Sequence, residues 1–362
     1  MPETGRPSPQ RGLLAWVVLI GAGSLASTLL LHPELALLFA GAGVFALAQA
    51  TDAASEASAY RHWVRDLFPE RSLGGEFFRL IVGAIVPGAG ALVYLGIGSY
   101  AWKLGDEFHH RFAALWSFAA AGVSLLLIAR PVADRLTTMI FRSAVVSRTR
   151  RLAARLFVLG VLLPVPMQAM LPDLLDAMRD SPVPLADARA LIAQLLGEIA
   201  IALAGVGWLV HRRWPQARER LGLGGVKLSY VGFVLAGLVG AIVINSGTEM
   251  LQRAAFPGLW RHDQEVTRLI AGQMPVWTAL LLGLSAGLGE EVMLRGALQP
   301  RLGIVLTSVL FASGHVQYSW YGMTTIALLG ILLGVVRRRT NTTTAILVHS
   351  LYDVFAVLTS QG

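Results

Sequence analysis

Three short stretches near the C-terminus place ionisable side chains inside apolar surroundings. Gly289-Glu290-Glu291-Val292-Met293-Leu294-Arg295-Gly296 holds two adjacent carboxylates and a guanidinium. Phe311-Ala312-Ser313-Gly314-His315 ends on an imidazole, and His349-Ser350-Leu351-Tyr352-Asp353 carries an imidazole and a carboxylate. A charged group within hydrocarbon costs about 2.5–3.5 kcal/mol on insertion scales, so such groups mark function by default. Glu291 and Arg295 are i,i+4 and can pair on one helix face, which holds one carboxylate ionised. Glu290, rotated by about 100° on the same turn, is left free to work. His349 and Asp353 are also i,i+4, a spacing at which a carboxylate orients an imidazole or accepts its proton. Carboxylates and imidazoles around one dry pocket suit proton transfer to and from water, and donors aimed at an oxyanion would supply the largest catalytic term. The same side chains offer a second chemistry, in which one or two carboxylates and two histidines hold zinc and acidify its bound water.

The elements that must position these groups are membrane helices. Of 362 residues, 55% are hydrophobic and only 14% charged, against about 25% charged in a soluble domain. The net charge of +8 invites a nucleic-acid partner, but the charges cluster between apolar stretches, which excludes that reading. The absence of cysteine excludes disulfides, thiolate zinc sites and palmitoylation. About 20 apolar residues cross a bilayer as helix, and runs of near that length predict spans at 13–31, 34–51, 80–102, 112–129, 152–171, 188–210, 229–247, 271–298, 303–318, 321–336 and 341–359. The expected fold is therefore an all-α polytopic membrane protein with about eleven transmembrane helices. Assigned loop by loop, 23 of the 30 basic residues fall on the N-terminal side, Arg6, Arg61, Arg65, Arg71 and Arg79 among them. This predicts a multi-pass protein of the cell membrane with a cytoplasmic N-terminus.

Depth then connects the three stretches. With a cytoplasmic turn near Pro300–Gly303, Glu290 and Glu291 lie roughly 13–15 Å from it and His315 about 18 Å along the returning helix. His349 lies about 15 Å and Asp353 about 21 Å beyond Arg339. Three helices thus bring polar groups to one level, and Ser285, Ala286, Gly287, Gly289 and Gly296 let neighbours approach closely there. Elsewhere, Asp134–Arg155 mixes Leu136, Met139, Ile140, Val145 and Val146 with arginines. It reads either as a helix on an anionic membrane surface or as an ordinary positive-inside loop. Glu198, Asn245 and Glu249 read as interhelical hydrogen bonders or interface residues. His32, His109 and His110 read as solvated loop residues, and Trp102, Trp208 and Trp277 as interfacial belts.

In this order, Glu-Glu-x-x-x-Arg, Phe-x-x-x-His and His-x-x-x-Asn/Asp on C-terminal helices resemble the CAAX protease and bacteriocin-processing (CPBP, or Abi) family of intramembrane proteases. The resemblance covers roughly residues 195–362. It implies a CAAX-protease-like helical core at 191–362 after an N-terminal helical region at 1–190 without a known motif, the loop Trp214–Lys227 being the best boundary by composition. Carried over, Glu290 is the general base with His315 as partner in activating water. His349 and Asp353 bind the tetrahedral intermediate, and Glu291 and Arg295 support them. Family members carry Asn or Asp at the position of Asp353, and an Asp must be protonated or act through His349. The implied activity is endopeptidase cleavage of a peptide or protein presented from the cytoplasmic side, within the lipid bilayer and without a required cofactor, zinc being the alternative. A catalytically silent scaffold or bacteriocin-immunity protein that binds peptides is the competing reading. A proton-coupled carrier expects inverted repeats and polar residues in both halves, and the N-terminal half is nearly free of buried charge.

Overall fold

A computed structural model describes residues 9–56, 73–181, 187–272 and 274–360; Arg6, Arg61, Arg65 and Arg71 of the charge count lie outside them. The described residues form helices and no strand, as expected where hydrocarbon leaves only helices and closed barrels with satisfied backbone groups. In chain order these are α1 (Pro9–Leu30), α2 (Pro33–Glu56), α3 (Leu73–Leu104), α4 (Phe108–Leu126), α5 (Arg130–Phe141), α6 (Arg148–Leu162), α7 (Pro164–Ala169), α8 (Leu171–Arg179), α9 (Ala188–Gly205), α10 (Trp214–Leu221), α11 (Val231–Ala255), α12 (Pro257–Ala271), α13 (Val276–Glu290), a π-helical segment (Glu291–Leu298), α14 (Gln299–Ser313), α15 (Trp320–Arg339) and α16 (Thr342–Ser360). Among the described residues, nine helices are long and apolar enough to cross a membrane, or ten with the bent α4–α5 pair as one span.

The remaining difference from eleven lies in Val276–Ser313, which runs for 38 residues without a loop. It is a hairpin. Gly303 breaks it with φ 79° and ψ 174°, a conformation essentially confined to glycine. Arg295 and Phe311 would be about 24 Å apart along a straight helix, yet the guanidinium lies 5.0 Å from the ring centroid. The returning arm is shorter than the expected 303–318. It ends at Ser313, so residues 304–313 rise only about 15 Å, half a hydrocarbon layer. Residues 314–319 are non-helical before α15 begins. Irregular backbone at that depth survives only where protein or a wet cavity satisfies it.

Here α12 supplies the partners. The buried carboxylate of Asp263 accepts from the Ser319 amide at 2.7 Å, the Ser319 hydroxyl at 2.7 Å and Gln252 Nε2 at 2.6 Å. His262 Nε2 lies 2.9 Å from the Gln317 carbonyl. Ser319 in turn caps α15 by accepting from the Gly322 amide.

The chain divides into two compact units, Val44–Leu171 and the combination of Met1–Gly43 with Pro172–Gly362. In the first, the Asp134–Arg155 stretch is not one surface helix. α5 ends at Phe141, Arg142 turns left-handed at φ 47°, and Arg148–Arg155 already belong to the span begun by α6. Arg155 is buried and donates to the Leu127 carbonyl at 2.9 Å. His109 and His110 open α4 and do not sit in a loop, and His110 is buried. In the second unit, the Trp16 indole donates to the Trp208 carbonyl at 3.1 Å, and Trp208 packs edge-on between Trp16 and Trp214. His32 lies 3.5 Å from Asp187. The close approach expected of the small residues is visible at Gly287 and Gly289. A Cβ on the first would collide with Ser350 Oγ of α16, and one on the second with Glu198 Oε2 of α9.

Candidate active site

The site is built where α9, α13, the π-helical segment, α14 and α16 meet. The backbone widens to i→i+5 hydrogen bonding over Glu291–Leu298, a form rare in general and frequent at functional sites. Sequence reading treated Glu290–Arg295 as plain α-helix. The pair it named nonetheless forms: Arg295 Nε lies 3.5 Å from Glu291 Oε2, with neither side chain exposed. Arg295 also donates to the Gly330 carbonyl at 3.2 Å and packs over Phe311.

His349 gathers three carboxylates. Its Nδ1 lies 3.1 Å from Glu291 Oε1, and a carboxylate paired with Arg295 accepts, so Nδ1 carries a hydrogen. Its Nε2 lies 3.4 Å from Asp353 Oδ2 and 4.0 Å from Glu290 Oε2. Two lone pairs facing each other at the shorter distance would repel. A proton therefore sits between Nε2 and Asp353, either as imidazolium with carboxylate or as imidazole with carboxylic acid. In both forms the pair has a hydrogen to offer an acceptor.

His315 has the complementary arrangement. Its Nδ1 lies 2.9 Å from the Phe311 carbonyl, which can only accept, so in the neutral ring Nε2 carries the lone pair. The Phe311 ring meets His315 edge-on at 4.9 Å, His349 at 5.9 Å and the Arg295 guanidinium at 5.0 Å. The phenylalanine of the second stretch is thus the apolar wall that all three share.

The structure brings Glu290, Glu291, Arg295, His349 and Asp353 together directly, and His315 through Phe311. Exposure separates them: Glu290 and Asp353 keep 13% and 18% of their side-chain surface, while Glu291 and Arg295 keep none. The first two can meet a substrate; the second two can act only through His349.

Two further groups arrive from α9. Gln194 Nε2 donates to Glu290 Oε1 at 3.3 Å and to Glu198 Oε1 at 3.1 Å, while Glu198 Oε2 is buried without a hydrogen-bond partner. The signal available in the sequence was an i,i+4 Gln-x-x-x-Glu pair on an apolar helix; Glu198 was read as an interhelical hydrogen bonder or interface residue, and Gln194 was not singled out. Glu249 accepts from Trp260 and Gln264 of α12 and takes no part in the cluster.

For zinc, a tetrahedral site needs at least three donor atoms converging on one point. Among the described residues, the group whose donor atoms all lie within 4.8 Å of one another is Glu107, His109 and His110, in the other unit. At His349 the ring nitrogens point in opposite directions, one to Glu291 and one to Asp353 and Glu290, so these residues do not present a convergent set in this arrangement.

Residues 272–355 match the family model described as type II CAAX prenyl endopeptidase Rce1-like. No curated protein and no solved structure gives a significant match to the chain. The matched stretch contains α13, the π-helical segment, the hairpin, α15 and both His349 and Asp353, so all three polar motifs fall inside it, and this region of the chain belongs to the CAAX protease (CPBP) family.

Proposed function

We propose that this protein is an intramembrane endopeptidase that hydrolyses a peptide bond with water activated by Glu290 and His315. The observation that carries the reading is His349 held by Glu291 on one nitrogen while the other faces Asp353 and the partly exposed Glu290. A water between Glu290 and the Nε2 lone pair of His315 would give its proton to the Glu290 carboxylate as its oxygen adds to the scissile carbonyl. The oxyanion would accept the hydrogen held between His349 and Asp353, a preorganised donor of the kind that dominates such catalysis. Collapse breaks the carbon–nitrogen bond, and Glu290 returns its proton to the leaving amine. Glu291 and Arg295 position His349 and touch no substrate. Residues 191–362 form the protease core in this reading, with 1–190 an N-terminal region. The bias of 23 basic residues in 30 supports a cytoplasmic N-terminus and entry of a peptide or protein from that side.

The test compares membrane peptides from cells carrying the wild type and His315→Ala. Cleavage products present only with the wild type are expected. Identical pools from two equally expressed chains would remove the peptidase reading and leave a peptide-binding scaffold.

Asp353 gives a second expectation. Because Asn donates directly, Asp353→Asn should keep kcat within about tenfold, whereas Asp353→Ala should lose about 10²–10³, the usual effect of deleting an oxyanion donor. Equal kcat values for the Asn and Ala variants would remove Asp353 from the oxyanion role.

A further inference from the structure

We propose that Arg212, Arg220, Arg301 and Arg337 form a site for the phosphate of an anionic phospholipid headgroup, beside the end of the π-helical segment. Arg220, on α10, reaches across to the Gly296 and Ala297 carbonyls at 3.1 and 3.3 Å. Arg337, near the end of α15, brings Nη2 to 3.7 Å from where a Gly222 Cβ would stand, two residues beyond Arg220, and its Nε is buried without a partner. Arg301 follows Ala297 by one helical turn, just before the reversal at Gly303. Arg212 precedes α10 and donates to the Val206 carbonyl.

Like charges crowd this corner. Burial, and then Arg301, Arg212 and Arg337, pull the Arg220 guanidinium down to about 10. Among the described residues no carboxylate forms an ion pair with Arg212, Arg220 or Arg337. Arg220 bonds to carbonyls, and Arg212 to a carbonyl and the His211 ring; these half-buried guanidiniums repel one another until an anion enters. Phosphate fits best, because it carries its charge on oxygens that accept the guanidinium fork two at a time.

Position favours a lipid over a soluble anion. Arg301, two residues before the reversal at Gly303, and Arg337, in the last turn of α15, stand at the ends of packed helices, the level at which headgroup phosphates would lie. α10 exposes Trp214, and the chain leaving it exposes Val226, Leu228, Val231, Phe233 and Leu235. An indole at the interface and an apolar strip below a basic pocket are what a phospholipid needs for its headgroup and its acyl chains. The site is independent of the peptidase reading. It bears on that reading only because Arg220 holds the carbonyls that end the segment carrying Glu291 and Arg295.

Native mass spectrometry of the full chain in detergent tests this with dioleoylphosphatidylglycerol against dioleoylphosphatidylcholine. The wild type should retain the anionic lipid preferentially. The double variant Arg212→Gln, Arg337→Gln should weaken that preference by about thirtyfold, from ~1 kcal/mol per arginine, with an unchanged thermal midpoint in phosphatidylcholine. A lower midpoint calls for the same comparison with Arg337→Gln alone, expected to lose about fivefold. Equal retention of the two lipids, or a folded variant that retains phosphatidylglycerol like the wild type, would overturn the proposal. So would displacement of the lipid by millimolar inorganic phosphate, or by a peptide with a free C-terminal carboxylate but not by its amide.

Discussion

Glu290→Gln is expected to lower kcat/KM for peptide cleavage by about 10³-fold, within the 10²–10⁴ that a positioned general base contributes, while leaving the fold intact. The amide matches the carboxylate in size and still meets Gln194, which now donates to a carbonyl oxygen in place of a carboxylate. What disappears is the only partly exposed glutamate of the first motif, hence the only one of the two able to take a proton from a water that also meets substrate. Folding should not suffer. Glu198, Glu291 and Asp353 remain around Arg295 and His349, so removing one carboxylate relieves like-charge crowding. The thermal midpoint in detergent should therefore hold or rise as activity falls. A folded variant keeping more than a tenth of wild-type kcat/KM would mean that another group activates the water.

The polar motifs were readable because an ionisable residue in an apolar run has few innocent explanations, and because helix rise converts residue number into depth. Glu290, His349 and Asp353 were placed at one level by that arithmetic, which took a turn near Pro300–Gly303 as its reference for the first of them. The widening of the helix at Glu291–Leu298 was not readable. Its residues have ordinary helix-forming character, and an i→i+5 pattern leaves no mark on composition. Equally hidden was the early end of α14 at Ser313. The expected span ran on to Tyr318, and the competing partner is Asp263, a single acid 56 residues before Ser319, whose amide and hydroxyl it accepts from. Gln194 illustrates the same limit. Its reach to Glu290 depends on α9 packing against α13, where Gly289 admits Glu198 at a distance no larger residue allows. Periodicity says which face of a helix is apolar, not which helix will meet it.

Arg295→Met should be the most destabilising single change at the site, costing about 3–5 kcal/mol, the range for breaking a buried ion pair from one side. Met fills much of the same space against Phe311, so lost packing is a small part of the loss. Glu291 is left fully buried beside His349 without its guanidinium, and the Gly330 carbonyl loses its side-chain donor. The double variant Glu291→Gln, Arg295→Met removes both charges and should recover most of that stability, giving a coupling of roughly 2–3 kcal/mol in a double-mutant cycle of unfolding in detergent. Recovery of fold should not be recovery of catalysis. The neutral amide that replaces the Glu291 carboxylate still accepts from His349 Nδ1, but no negative charge then holds a proton on the far side of the ring, where Asp353 needs it. The stable double variant should remain at least about 10²-fold below wild type in kcat with KM little changed, the signature of an interaction made in the transition state. Additive stabilities within ~0.5 kcal/mol would show that the pair is not coupled. A double variant restored in both fold and kcat would show that the charge on Glu291 serves folding alone.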